Sequence, residues 1–116
     1  MIIRIKNLRL RTVVGIQHWE RKQPQDVIIN VEIEFDGTKA AESDHIDDTV
    51  NYKEIKRKII KEVENARYYL LDRLASQILK LVMKEKKVKR ATVEVDKPQA
   101  LRFADSVSVV CSSERS

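Results

Sequence analysis

The chain has one cysteine, Cys111, among 116 residues, so no disulfide can form within it. A single thiol fits a reducing compartment, and the cytoplasm is the expected setting. The two histidines, His18 and His45, stand far apart with no ligand spacing between them, so no metal site is expected. Glycine and proline number two each, and no Gly- or Pro-rich linker divides the chain. No apolar run approaches the length of a membrane span, and no basic segment followed by an apolar one opens the chain as a signal peptide would. No membrane partner is expected. No repeat of solenoid length is present.

What the chain does have is charge. Charged residues make up 35 % and the formal net charge is +5. At this length one domain, residues 1–116, is the starting expectation. A basic balance favours an anionic partner, either a nucleic acid or a phosphorylated small molecule. Much of the excess lies in Lys84-Glu85-Lys86-Lys87-Val88-Lys89-Arg90, which is equally a solvated helix end placed to suit the helix dipole. A nucleic-acid-binding module would explain the charge. Against it stand the absence of an RNP-type aromatic cluster and of a GxxG loop, and a single tryptophan.

Hydrophobic periodicity orders the rest. Ile3 and Ile5 alternate with Arg4 and Lys6, and Leu8, Leu10, Thr12 and Val14 continue in the opposite phase. A slip of that kind near Asn7 predicts one strand with a β-bulge. Gly15 ends it, and Gln17 to Gln25 read as a loop. Val27, Ile29, Val31, Ile33 and Phe35 alternate as a second strand. Asp36 to Asp48 is acidic and turn-rich. Asn51 followed by Glu54 opens a helix in capping-box fashion, with Ile55, Ile59, Ile60 and Val63 at helical spacing. Leu71, Leu74, Ile78, Leu81 and Val82 form a second stripe. Val93 and Val95, then Val107, Val109 and Cys111, give two final strands. The order ββααββ predicts an α+β domain with a four-stranded antiparallel sheet and two helices on one face. Its two open edges motivate homo-oligomerisation.

Four side chains invite a chemical reading: Glu20, Tyr52, Asp72 and Lys97. Each also has a plain one. Glu20 sits among Arg21 and Lys22 as a solvated loop acid would; Tyr52 can pack its ring and leave its hydroxyl in water; Asp72 suits a helix N-terminus. Lys97, where a strand runs into a short loop, reads on spacing alone as a surface turn lysine.

A resemblance sharpens the choice. Gly15 with Glu20 five residues on, Gln25, Asp48-Thr49-Val50-Asn51-Tyr52, Leu70-Leu71-Asp72-Arg73-Leu74-Ala75 and Val95-Asp96-Lys97-Pro98 run nearly end to end through the chain. In these pieces it resembles the dihydroneopterin aldolase family of pterin enzymes, which have the tunnelling fold. Ile2-Ile3-Arg4-Ile5-Lys6-Asn7-Leu8-Arg9-Leu10-Arg11-Thr12 and Ala100-Leu101-Arg102-Phe103-Ala104-Asp105-Ser106-Val107-Ser108 resemble that family's epimerase branch, which acts on dihydroneopterin triphosphate. Three departures from the aldolase pattern matter. Val13-Val14-Gly15 replaces a Tyr-His-Gly sequence, an arginine-bearing loop replaces one ending in Gly-His, and Asp72 replaces a pterin-anchoring Glu, one methylene shorter.

The resemblance implies a cofactor-free retro-aldol and aldol reaction on a pterin, because the N5=C6 imine of a 7,8-dihydropterin can itself accept the electrons of a breaking C–C bond. It implies Lys97 as base, Tyr52 as proton donor to the enamine, Glu20 as positioner of hydroxyls or water, and Asp72 with Leu71 at the pterin. A base role calls for a depressed lysine pKa, for which burial or a nearby cation such as Arg102 would serve, while the neighbouring Asp96 and Asp105 would act the other way. Arg9, Arg11 and Arg102 are the candidates for a triphosphate tail, although Arg9 and Arg11 read equally as an outward strand surface. The implied outcome is inversion of carbon 2′; the alternative is an aldolase that releases the aldehyde from unphosphorylated dihydroneopterin. The family further implies oligomeric barrels, an octamer, with pockets between subunits.

Overall fold

A computed structural model describes residues 1–116. Its centre is a sheet of four long, mutually paired elements. Strand β1 (Ile2–Val14) pairs antiparallel with β2 (Gln25–Phe35), which pairs antiparallel with β4 (Val88–Pro98), which pairs antiparallel with β5 (Ser106–Glu114). The order across the sheet is β3-β1-β2-β4-β5, with β3 (Arg67–Tyr68) running parallel to the end of β1. The expected four-stranded antiparallel sheet is therefore a five-stranded mixed one. The fifth strand is too short to carry a hydrophobic period, and its partner lies far away in sequence.

The phase slip in β1 is a real irregularity. The β1–β2 register shifts between Ile5 and Leu8, and Asn7 adopts φ 53°. Asn is among the side-chain-bearing residues that tolerate this region, and the Asn30 Oδ1 accepts the Asn7 N–H at 2.8 Å. The extra residue restores alternation, so Ile3, Ile5, Leu8 and Leu10 all face the core. Valines and isoleucines of β2 and β4 complete that face: Val27, Ile29, Ile33, Val93 and Val95 are buried.

Two long helices cover it. Helix α2 (Tyr52–Asn65) buries Ile55, Ile59 and Val63. Helix α3 (Leu71–Met83) buries Leu74, Ala75, Ile78 and Val82. A further short helix, α1 (Thr38–Ser43), and a 3-10 turn at Ile46–Asp48 occupy the segment read as acidic loop. Neither buries a residue, so no apolar stripe marked them. The face of the sheet away from the helices is bare and mixed in charge, with Arg4 paired to Glu32 at 3.0 Å and Arg11 to Asp26 at 3.5 Å. No helix is long and apolar enough to cross a membrane.

Asn51 caps α2 through its side chain, which accepts the Glu54 N–H at 3.3 Å. The reciprocal half of the capping box is missing, because Glu54 pairs with Arg57 instead. Asn51→Ala should cost about 1 kcal/mol of stability, read as a lower urea midpoint at unchanged slope; an unaltered midpoint would mean that the cap contributes nothing.

Candidate active site

The β1 and β4 strands end side by side with β2 between them, and there an open cleft of about 680 Å³ forms on the helix side of the sheet. One wall comes from the β1–β2 loop (Gly15, Gln17, Trp19, Glu20) and another from the start of α3 (Tyr69, Leu70, Leu71, Asp72). Lys97, Val107, Val109, Ala100 and Arg102 close it from the β4–β5 side. Alternation puts Lys97 on the core face, in phase with Val93 and Val95, and it is only 8 % exposed. The surface-turn reading of this lysine is thereby excluded.

A buried ammonium needs a counter-charge and hydrogen-bond acceptors. Lys97 Nζ finds both: it forms an ion pair with Glu20, itself 7 % exposed, and donates to the Val14 carbonyl at 3.2 Å. The solvated-acid reading of Glu20 falls with that of Lys97. Glu20 also accepts from the Gln17 backbone N–H at 3.0 Å and from Gln25 Nε2 at 3.4 Å. Gln25 Nε2 reaches the Val14 carbonyl at 3.3 Å, tying the strand end into the same network. Burial pushes the Glu20 carboxyl up. Hydrogen bonds from Lys97 and Gln17, the Lys97 charge and the Gln25 amide outweigh it and hold the group below its ordinary value. The charge paired with the amine is thus the Glu20 carboxylate, and neither the Arg102 cation nor the Asp96 and Asp105 carboxylates considered from the sequence.

Gly15 explains how the carboxylate gets there. It has φ 138°, open to glycine and strained for other residues, and a Cβ on it would overlap the Glu20 carboxylate. In the sequence it showed as the end of a strand and as a glycine five residues before Glu20. Arg21 left no signal in the sequence, because two of its three carbonyl acceptors belong to Arg67 and Tyr68, far along the chain.

Asp72 lies exposed in the first turn of α3, in the same cleft as Lys97 and beside half-buried Leu71. The cleft thus holds a carboxylate, able to accept two hydrogen bonds, and an amine, able to donate them. Arg102, exposed on the β4–β5 loop, also lines the cleft. Three sequence candidates are not brought there. Arg9 and Arg11 alternate with core-facing Leu10 and so stand on the bare sheet face, where Arg11 donates to the Pro24 carbonyl at 2.9 Å. Tyr52, 52 % exposed, opens α2. Asn65, at the other end of that helix, is the part that lies beside Val13 and Arg67, and the helix is about 20 Å long. No cluster of three or more His, Cys, Asp or Glu side chains is arranged to hold a metal ion.

The ordinary carboxyl pKa at Glu20 would be 4.5. A value held below this means that the pair stabilises the fold fully above it, and that this contribution disappears as pH falls through the lowered folded value. Between about pH 6 and pH 3, wild type should therefore lose more melting temperature than Glu20→Gln. Parallel losses in thermal melts would contradict the ion pair.

Comparison with known proteins places this geometry. Residues 3–112 match the model of the FolB dihydroneopterin aldolase family. The chain is 46 % identical over 114 residues to a dihydroneopterin triphosphate 2′-epimerase of Escherichia coli K12, covering 98 % of this chain and 95 % of the relative. It is 47 % identical over 113 residues to an enzyme of the same name from Pseudomonas aeruginosa, covering 97 % and 92 %. A dihydroneopterin aldolase of Escherichia coli K12 is more distant, at 29 % over 109 residues, covering 94 % and 89 %. The crystal structure of E. coli dihydroneopterin aldolase in complex with neopterin superposes with a TM-score of 0.92 at 28 % identity, covering 97 % of this chain and 98 % of that one. The chain belongs to the dihydroneopterin aldolase family and has its tunnelling fold.

Proposed function

We propose that this protein inverts carbon 2′ of 7,8-dihydroneopterin triphosphate, giving dihydromonapterin triphosphate. The observation that carries the proposal is that one cleft brings the Lys97–Glu20 pair together with Asp72, in a chain more similar to epimerases than to an aldolase.

Asp72 takes the amino group and ring N–H of the pterin on its two oxygens, with Leu71 against the ring. This leaves the side chain of the pterin pointing at Lys97. Once the resting ammonium has released a proton to water, the neutral Lys97 amine takes the proton of the 2′-hydroxyl, directly or through a water, while Glu20 holds Nζ and the substrate hydroxyls in place. The C1′–C2′ bond breaks, its electron pair moves into the N5=C6 imine, and carbon 2′ becomes an aldehyde. The pterin is left as an enamine. If the aldehyde turns over and C1′ re-attacks its other face, the bond re-forms with carbon 2′ inverted and the proton returns to oxygen. If the aldehyde leaves, C1′ takes a proton and the net result is aldol cleavage. One site supports both outcomes, and retention of the aldehyde decides between them.

The triphosphate travels with the aldehyde fragment, so a cation at the mouth of the cleft favours retention. Arg102 is that cation within one chain. Arg9 and Arg11, on the opposite sheet face, have no route to the tail within one chain; a phosphate role for them requires another copy.

Tyr52 is the proposed donor to C1′ and stands outside the cleft of its own chain. A second copy supplies it. The open edge of β5, the largely open edge of β1, and exposed Ile16, Trp19, Tyr69, Leu70 and Leu101 around the cleft are what such an assembly would cover. Pairing β5 of one copy with β1 of the next builds the proposed barrel, and an octamer is the expected closed form.

Incubation with dihydroneopterin triphosphate and, separately, with dihydroneopterin, followed by chromatography, tests the assignment. The triphosphate should yield mainly the inverted product, and Lys97→Ala should lower turnover by at least about a hundredfold with pterin binding retained. Rapid release of hydroxymethyl-dihydropterin with little inversion would make the protein an aldolase. Full activity of Lys97→Ala would remove the amine from the mechanism.

A further inference from the structure

The two main walls of the cleft are joined at a weak seam. The wall with Glu20 hangs from the end of β1, and the wall with Tyr69 to Asp72 hangs from β3. The backbone pairing between them is two parallel strand pairs, Val13 with Arg67 and Val14 with Tyr68, and one further bond from Gly15 N–H to the Tyr68 carbonyl at 3.2 Å, with the Thr12 hydroxyl donating to the Ala66 carbonyl at 3.2 Å just before them. A two-residue strand has little rigidity of its own.

Arg21 continues the ladder where the backbone stops. Its guanidinium donates to the Arg67 carbonyl at 2.7 Å, the Tyr68 carbonyl at 2.9 Å and the Gly15 carbonyl at 3.3 Å. Its Cζ lies 3.9 Å from the centroid of the Tyr69 ring. One planar group thus grips the end of β1 and the end of β3, and stacks on an aromatic that lines the cleft. Arg21 immediately follows Glu20 in the chain, so the same anchor restrains the carboxylate that holds Lys97. Only a guanidinium has the donors for this fork and a face for the stack. A lysine at the same place has a point charge and no plane.

We propose that Arg21 is a positioning residue that fixes the separation of the Lys97–Glu20 wall from the Leu71–Asp72 wall, and so sets how often the aldehyde is re-added rather than released. The inference rests on the retro-aldol reading given above. After C1′–C2′ cleavage the enamine is anchored on Asp72 and the aldehyde lies by Lys97. The two recombine only while the walls hold them in reacting distance. A loosened seam widens the cleft, and the fragment departs before it is attacked.

The test compares the full-length wild type with Arg21→Ala, Arg21→Lys, Tyr69→Leu and the Arg21→Ala/Tyr69→Leu double variant, on dihydroneopterin triphosphate. The readout is the ratio of inverted product to cleavage product, which does not depend on the fraction of protein that is folded. Arg21→Ala should shift the ratio toward cleavage by about tenfold, the scale of a small misplacement of reacting groups. Arg21→Lys should recover part of the loss, and the double variant should be no worse than Arg21→Ala alone. An Arg21→Ala enzyme that is slower but keeps the wild-type ratio would overturn the proposal and leave the epimerase reading standing. A wild-type protein that performs neither reaction would overturn both.

Discussion

An ammonium removed from water must be paid for with a counter-charge, and the geometry of this molecule's working end follows from that requirement. Lys97 is carried into the core face by the alternation of β4, behind Val93 and Val95. At that depth an unpaired amine would cost several kcal/mol. Glu20 answers it, but only because Gly15 leaves the space, Gln17 and Gln25 donate to the carboxylate, and the end of β1 offers the Val14 carbonyl. Each of those residues belongs to the β1–β2 loop or the strand ends that it joins. The loop from Gly15 to Gln25 is the part that holds the amine in place.

The pair also accounts for the division of labour across the fold. The hydrophobic side of the sheet, under α2 and α3, is a packed core for most of its length and opens only where β1, β4 and β5 reach their cleft-side ends. There the apolar residues give way to Lys97, Glu20, Asp72 and Arg102. An amine, two carboxylates and one guanidinium around a single cleft suit a substrate with a polar flat ring at one end and phosphate at the other. Of the three candidates outside the cleft, Arg9 and Arg11 stand on the other sheet face and Tyr52 at the far end of α2, so the chain by itself does not complete the proposed site. The proposed association would use the same strand edges and exposed apolar side chains that are otherwise liabilities in water.

Much of the architecture was legible because it repeats. The alternation of β2 and β4 and the stripes of α2 and α3 each recur over many residues, and the slip at Asn7 shows against the alternation on either side of it. Short elements were not legible. Strand β3 is two residues long, and α1 buries nothing, so neither leaves a period. For the site, spacing alone favoured a surface lysine at 97, yet its phase with Val93 and Val95 already marked the buried face. The partner of that lysine was out of reach, because Glu20 lies 77 residues away and only the folded sheet brings them together. Resemblance supplied Glu20, Asp72 and Tyr52 as candidates; it could not say that Arg21, two carbonyl-bearing strand ends and an aromatic ring would tie the walls together.

The central claim is that the ring of a dihydropterin lies between Asp72 and the Lys97–Glu20 pair. A crystal structure of the assembled protein with bound neopterin tests it most directly. The account requires the pyrimidine edge on the Asp72 carboxylate, the hydroxylated side chain within hydrogen-bond reach of Lys97 and Glu20, and Tyr52 of a second copy at the mouth of the cleft. A heterocycle found outside this cleft in every copy would contradict it.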